Sequence, residues 1–290
     1  GVHSGDSTAV IPPFTIHKEI LEEIKEKSIR LALGLKVKGL LNIQFAIKNN
    51  DLYILEANPR ASRTMPFVAK VTGNQIIKAG TLLMLGYSIE DVKNQTNYLN
   101  GTTNKVAIKK AIFPWSRFPA EDTMLGPEMK ATGEVLGIGR EFGTALNKAY
   151  SAAGVEINNK EKGIFVTLSD DKKSNFLDTI KKYIELEFTV YSTQGTGEFL
   201  KSKGIDSIIV GKANDTGQTS LSIIDEKLVS LVINTPTYAN ELTDGWKIRR
   251  LSHETGIAVV SSVREADAFI EAFLKRNSVL EDMDAIQNVS

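Results

Sequence analysis

Hydrophobic and polar positions change period along the chain, and each change marks an element. Residues 1–16 carry Gly, Ser, Asp, Thr and the pair Pro12-Pro13 without periodicity and read as loop. Over residues 18–34, Ile20, Leu21, Ile24, Ile29, Leu31 and Leu33 recur near helical spacing among Lys and Glu, and Gly34 closes the pattern. An amphipathic helix is predicted there. The period then drops to two. Leu41, Ile43, Phe45 and Ile47 alternate with Asn42, Gln44, Ala46 and Lys48; beyond Asn49-Asn50-Asp51, Tyr53, Leu55 and Ala57 alternate with Ile54, Glu56 and Asn58. This predicts a β-hairpin. A one-residue slip would send one apolar set to the wrong side, and a three-residue loop at Asn49–Asp51 keeps both sets on one face. That register pairs Phe45 with Leu55, Gln44 with Glu56 and Asn42 with Asn58. Gln44, Glu56 and Asn58 then share the face opposite the apolar one.

Residues 66–86 read as one largely apolar helix ended by Gly86. Residues 87–160 are less regular, with a strand expected near 106–113, a Pro-punctuated stretch Phe113–Pro119 and a helix near 140–152. The polar run 154–162 is the best linker candidate. From 163 onward, strands at 163–168, 186–191, 206–210, 229–234 and 257–261 alternate with helices at 173–184, 195–203, 218–226 and 264–275 and a looser segment at 240–254. The alternation predicts βα units and a doubly wound α/β domain on a parallel sheet. The last dozen residues read as a tail.

Composition narrows the class. Of 290 residues, 42% are hydrophobic and 24% charged, an ordinary globular mix, and a length suggesting two domains. Lys+Arg and Asp+Glu are 35 each, which argues against a dedicated polyanion binder or a basic membrane-surface protein. The absence of Cys excludes disulfide frameworks, thiolate metal sites and Cys nucleophiles, and fits a cytoplasmic setting. No apolar run approaches the ~18–20 residues of a membrane span. The chain opens on Gly1 without Met or a signal-peptide pattern, so that either something was removed upstream or the sequence is a piece of a longer protein.

Two places in the first half carry chemistry. Gln44, Glu56 and Asn58 offer one carboxylate and two amide oxygens on a common face, a donor set suited to a hard cation such as Mg²⁺, although a hairpin's polar face can also be merely solvated. Arg60 and Arg63 follow within reach of phosphate or carboxyphosphate oxygens. The opening Gly1-Val2-His3-Ser4-Gly5-Asp6-Ser7 is small enough for backbone N–H groups to approach a nucleotide, or is simply a flexible terminus. In the second half, Lys173, Thr193-Gln194-Gly195-Thr196, Lys212 and Asn234-Thr235-Pro236-Thr237 each follow a predicted strand, where open α/β sheets bind ligands. Thr hydroxyls and backbone N–H groups at a helix start, with two lysines near, suit a phosphate; helix capping is the plainer reading of each Thr.

At these residues a resemblance becomes visible. Gly1–Ser7, the hairpin Asn42–Asn50, the run Glu56-Ala57-Asn58-Pro59-Arg60-Ala61-Ser62-Arg63-Thr64 and Leu125-Gly126-Pro127-Glu128-Met129-Lys130-Ala131-Thr132-Gly133-Glu134 resemble the carbamoyl phosphate synthetase large-chain family, over the chain apart from its tail. The resemblance implies that residues 1–85 end the second ATP-grasp unit, which phosphorylates carbamate to carbamoyl phosphate. Residues 86–160 would be a connector and linker, 161–278 a methylglyoxal-synthase-like allosteric domain, and 279–290 a tail. It implies Gln44, Glu56 and Asn58 as Mg²⁺ or Mn²⁺ ligands and Arg60 and Arg63 as phosphoryl-stabilising catalytic residues. Gly1, Val2, His3, Ser4, Gln44 and Glu56 would bind ATP. Lys173, Thr193, Thr196, Lys212, Asn234 and Thr235 would bind an allosteric nucleotide such as UMP or IMP. Where the family suggests Asn-Thr-Thr, this chain has Asn234-Thr235-Pro236. Implied partners are the rest of the large chain and a small glutaminase chain, in an oligomer of heterodimers. The bulk of an ATP-grasp unit would lie upstream of Gly1, so this piece is expected to be inactive alone. A stand-alone nucleotide-sensing module and a methylglyoxal-synthase-type lyase are the alternative functions.

Other features read as structural. His17 and His253 lack metal-ligand spacing. Gly137-Ile138-Gly139 with Gly143 does not fit a dinucleotide fingerprint. Asn100-Gly101-Thr102 matches a glycosylation acceptor but reads as idle. Phe113, Trp115 and Phe118 read as packing residues between domains.

Overall fold

The computed structural model describes residues 3–98, 104–118, 121–157, 163–235 and 243–276. The chain divides into two compact units, one holding residues 10–107 and the other residues 1–9 with residues from 108 onward. The calls on Gly1, Val2, Asn100-Gly101-Thr102, Pro119, Pro236, Thr237 and the tail lie outside the described residues.

Strand β1 (Ala9–Ile11) carries the chain into the unit of residues 10–107. Helix α1 (Lys18–Gly34) forms as predicted, with Ile20 its buried residue. Strands β2 (Asn42–Lys48) and β3 (Asp51–Asn58) form the hairpin, but its turn differs from expectation. Lys48 pairs with Asp51, leaving only Asn49 and Asn50 in the turn, at φ 53° and 68°. Asn tolerates this left-handed region, and two such residues make the tight turn whose twist matches the strands. Phe45 therefore faces Ile54 instead of Leu55. A bulge then absorbs one residue, Leu55, and beyond it Gln44 pairs with Glu56, Ile43 with Ala57 and Asn42 with Asn58. The polar pairing is as expected, reached by a bulge instead of a longer loop. Tyr53 and Ile54 exchange faces as a result.

The single helix expected over 66–86 is two, α2 (Thr64–Thr72) and α3 (Ile76–Met84), because Gly73 at φ 69° ends the first. Helix α4 (Ile89–Gln95) starts at a capping box of Ser88 and Asp91. Strand β4 (Val106–Ile112) leads into the second unit.

There β1, β4 and β5 (Gly133–Gly139) form a three-stranded sheet in the order β1-β4-β5. β5 was not anticipated, because glycines break its alternation. A Cβ on Gly137 would collide with the Ala145 carbonyl of α5 (Phe142–Ala152), and one on Gly143 with the Glu271 carbonyl. These glycines let backbones pack closely, so the Gly137-Ile138-Gly139 run is architectural.

The second sheet holds β6 (Gly163–Leu168), β7 (Thr189–Ser192), β8 (Ile208–Ile209), β9 (Leu231–Thr235) and β10 (Ala258–Val260). Its order is β10-β9-β6-β7-β8 with all pairs parallel. Its helices are α6 (Leu177–Glu185), α7 (Gln194–Ser202), α8 (Ser222–Asp225), α9 (Asp244–Glu254) and α10 (Val263–Leu274). The doubly wound prediction holds. The chain builds from β6 outward to β8, then reverses to β9 and β10, which puts the switch point between β6 and β9. Both strands are buried nearly throughout, so they read as continuous apolar runs. Phe165 and Val232 pack with Ile223, Ile224 and Ile248. Tyr150 meets Phe269 edge-on, and Phe188 meets Tyr183 and Phe273, tying α5, α6 and α10 together.

Of the linker candidate, 158–162 lie outside the described residues. Before them Glu156 N–H donates to Gly256 O at 3.2 Å and Ile157 is buried. The segment after β4 packs on α9: Trp115 is buried, stacked on Phe113 and tilted against His253. Phe118, expected to pack, is 52% exposed; its backbone is engaged instead, its N–H donating to Trp115 O and its carbonyl accepting from Arg250. Among the described residues no helix is long and apolar enough to cross a membrane.

Candidate functional site

The hairpin brings Gln44 directly opposite Glu56, and Asn42 directly opposite Asn58, on one face. Gln44 and Asn58 are half-buried and Glu56 is exposed. None of the three side chains bonds another described residue. The chemistry of the donor set fits a hard divalent cation: oxygen atoms only, a single negative charge, and room for waters or phosphates in the rest of the shell. Among the described residues there is no cluster of three or more His, Cys, Asp or Glu; a cation at this face would rest on the amide oxygens as well as on Glu56. Arg60 and Arg63 follow β3. Arg60 N–H donates to Asn58 O at 2.8 Å, and its guanidinium donates to Ala61 O at 3.0 Å. Arg63 stands exposed immediately before α2.

The opening loop belongs to the other unit. His3 Nδ1 accepts the Gly5 N–H at 3.0 Å, and His3 O accepts the Asp6 N–H and the Ser7 hydroxyl. Ser4 is exposed. Residues 3–7 form a hydrogen-bonded turn. Its anchor, missed in the sequence, is Asp6, whose buried carboxylate accepts the Lys130 and Ala131 N–H groups at 2.9 Å each. Lys109, also buried, donates to Gly5 O at 3.3 Å. The stretch 125–134 is thus the seat of this loop.

The second set lies along the C-terminal edge of the parallel sheet. Lys173 Nζ donates to Gly195 O at 2.8 Å and pairs with Asp170 at 2.6 Å, joining the loops after β6 and β7. Thr193 stands at the start of α7, yet its side chain makes no cap hydrogen bond; it donates to Thr196 Oγ1 at 3.2 Å. Thr196 Oγ1 also accepts the Leu168 N–H at 3.1 Å. Thr235 Oγ1 accepts the Ser169 N–H at 2.8 Å across the switch point. Capping therefore does not explain these threonines; they stitch β6 to its neighbours' loops. Asn234 is buried and its Oδ1 accepts from Arg249 at 2.9 Å. Lys212 follows β8 and is exposed, with its N–H on Asp215 at 2.7 Å. Ser169, Asp170 and Arg249 join this edge although the sequence reading did not single them out. Asp170 and Ser169 could have been found from the rule that picked Lys173, position after a strand.

Residues 1–92 match the family model described as "Carbamoyl-phosphate synthase L chain, ATP binding domain", and residues 175–261 match the "MGS-like domain". The chain is 39% identical over 296 residues to the "Carbamoyl phosphate synthase large chain, C-terminal section" of Aquifex aeolicus, covering 97% of this chain and 55% of that one. The chain is homologous to the C-terminal part of carbamoyl phosphate synthase large chains. The section of the same name in Methanocaldococcus jannaschii is 39% identical, covering 94% of this chain and 45% of that one. The carbamoyl phosphate synthase large chain of Micrococcus luteus is 40% identical, with 94% and 26% covered. The chain therefore spans about half the length of the C-terminal sections and about a quarter of the full large chain. Both parts expected from the resemblance, an ATP-grasp portion and a methylglyoxal-synthase-like α/β domain, are present.

Proposed function

We propose that this chain is the C-terminal part of an ATP-dependent ligase, a carbamoyl phosphate synthase large chain, acting with the rest of that chain and a glutaminase partner. In this reading the phosphoryl group passes from ATP to a carbamate oxygen, giving carbamoyl phosphate and ADP. The supporting observation is the hairpin pairing that collects Gln44, Glu56 and Asn58 on one face. These residues would hold Mg²⁺ or Mn²⁺. A divalent ion held there would supply positive charge against the negative charge that builds up on the phosphates during transfer. Arg60 and Arg63 supply forked donors to the transferring oxygens, favouring the charge distribution of the transition state over that of the ground state. The ordered turn at His3 and Ser4, with Gly1 and Val2, contributes to nucleotide binding. The edge formed by Lys173, Thr193, Thr196, Lys212, Asn234 and Thr235 takes a phosphate-bearing nucleotide effector, by the cationic lysines and the N-terminal end of α7.

In the full-length enzyme, Glu56→Gln should abolish ATP formation from ADP and carbamoyl phosphate while bicarbonate-dependent ATP hydrolysis persists. Unimpaired ATP formation would overturn the metal-site assignment. Turnover of dihydroxyacetone phosphate by the isolated chain would favour the lyase reading instead.

A further inference from the structure

Within the sheet-bearing unit, buried and half-buried polar contacts at the two ends and middle of segment 122–131 join it to the candidate effector edge and to the His3–Ser7 loop. Arg249 on α9 is 4% exposed, and a single guanidinium serves two masters. Its Nη1 donates to Asn234 Oδ1 at the end of β9. Its Nε and Nη2 donate to the two carboxylate oxygens of Asp122 at 3.1 and 2.6 Å. Asp122 opens the segment 122–131 and also accepts the Met124 N–H at 3.1 Å. The far end of that segment is held by the buried carboxylate of Asp6, through the amides of Lys130 and Ala131. Midway, His3 N–H donates to Gly126 O at 3.0 Å. The segment is therefore clamped at one end by a residue that touches Asn234 and at the other by the loop that carries His3 and Ser4.

The choice of groups is informative. A buried ion pair adds little stability over well-packed apolar side chains, because desolvation offsets much of the attraction. A planar guanidinium with fixed donors does impose geometry on everything it holds. A ligand that draws Asn234 toward itself must redirect Arg249, and Asp122 loses its bidentate alignment with it. We propose that Arg249 and Asp122 are positioning residues, and that segment 122–131 is a strap through which occupancy of the effector edge alters the His3–Ser7 loop. This rests on the effector and nucleotide-loop readings above and adds the residues that transmit between them. The test reads coupling between the two ends directly.

The experiment uses the full-length enzyme with its partner chain, comparing Asp122→Asn, Asp122→Glu and the parent. Without ligand, hydrogen exchange of the residue 3–7 and 126–131 amides should rise about tenfold in Asp122→Asn, recover in Asp122→Glu, and stay unchanged in β6 and β9. Unchanged exchange at residues 3–7 overturns the strap regardless of any effector. With UMP as the probe, Asp122→Asn should bind within about threefold of the parent, keep kcat within about twofold, and lose most of the UMP-induced shift in KM for ATP. A retained shift overturns the regulatory role. Failure of the parent to bind either UMP or IMP overturns the effector reading, and with it the regulatory role, while the exchange result still decides whether the strap exists.

Discussion

The polar face of the β2–β3 hairpin and the C-terminal edge of the parallel sheet hold their candidate site side chains in opposite states. On the hairpin, Gln44, Glu56 and Asn58 sit in cross-strand pairs with no bond to other described side chains. On the sheet edge, Thr196, Thr235 and Asn234 are buried and already engaged with Leu168, Ser169 and Arg249. The first arrangement leaves oxygen atoms ready for a ligand at no structural cost. The second uses the same atoms to hold the loops in place, so that a ligand binding there would have to compete with the architecture.

This contrast is breakable. The largest effect is expected at Glu56→Gln, which should cut carbamoyl phosphate synthesis by the intact enzyme at least ~10²-fold while leaving the thermal midpoint of this chain nearly unchanged, since surface substitutions stay within about 0.5 kcal/mol. A parallel loss of stability would erase the distinction. Next, Thr196→Val should destabilise the sheet unit by about 1–3 kcal/mol in denaturant titrations, because the buried Leu168 N–H loses its acceptor. An unchanged midpoint would move Thr196 into the hairpin's class.

His253 probes the packing around α9. Burial, helped by Lys110, Arg250 and Arg249, lowers its pKa from 6.5 to about 4, so the folded chain keeps the ring neutral. Between those values the unfolded chain binds more protons. Stability is therefore full above pH ~6.5 and falls as pH drops toward 4, by about 2 kcal/mol given the ring's partial exposure. Denaturation of the parent and of His253→Gln at neutral and acid pH measures this, and the variant should show a flatter profile. The smallest effect is expected at the turn: Asn50→Gly, at φ 68°, should stabilise the hairpin by about 0.5 kcal/mol without moving activity.

Long-period features were legible in the sequence. Helix α1 and the doubly wound order of the sheet followed from hydrophobic spacing, because each element buries a large and regular apolar face. The oxygen-bearing face of the hairpin followed too. The bulge at Leu55 did not, since alternation cannot say whether an extra residue sits in a turn or in a strand. β5 escaped because Gly137 and Gly139 serve close helix packing and contribute no apolar side chain. Asp6, Asp122 and Arg249 escaped for a different reason. Their partners lie more than a hundred residues away for Asp6–Ala131 and Arg249–Asp122, and no local pattern marks a charge as buried.

The bulge has a consequence for how related chains can vary in length. Since Leu55 is the one residue left over between two correctly phased stretches of ladder, its deletion would leave Glu56 opposite Gln44 and simply straighten the strand. Moving the surplus into the turn would do the same. Insertions and deletions between Lys48 and Leu55 should therefore be tolerated in homologues, whereas a gap between Glu56 and Asn58 would rotate one of these two side chains to the far side. Alignment gaps crowded on one side of Glu56 and missing on the other would be the evolutionary trace of that geometry.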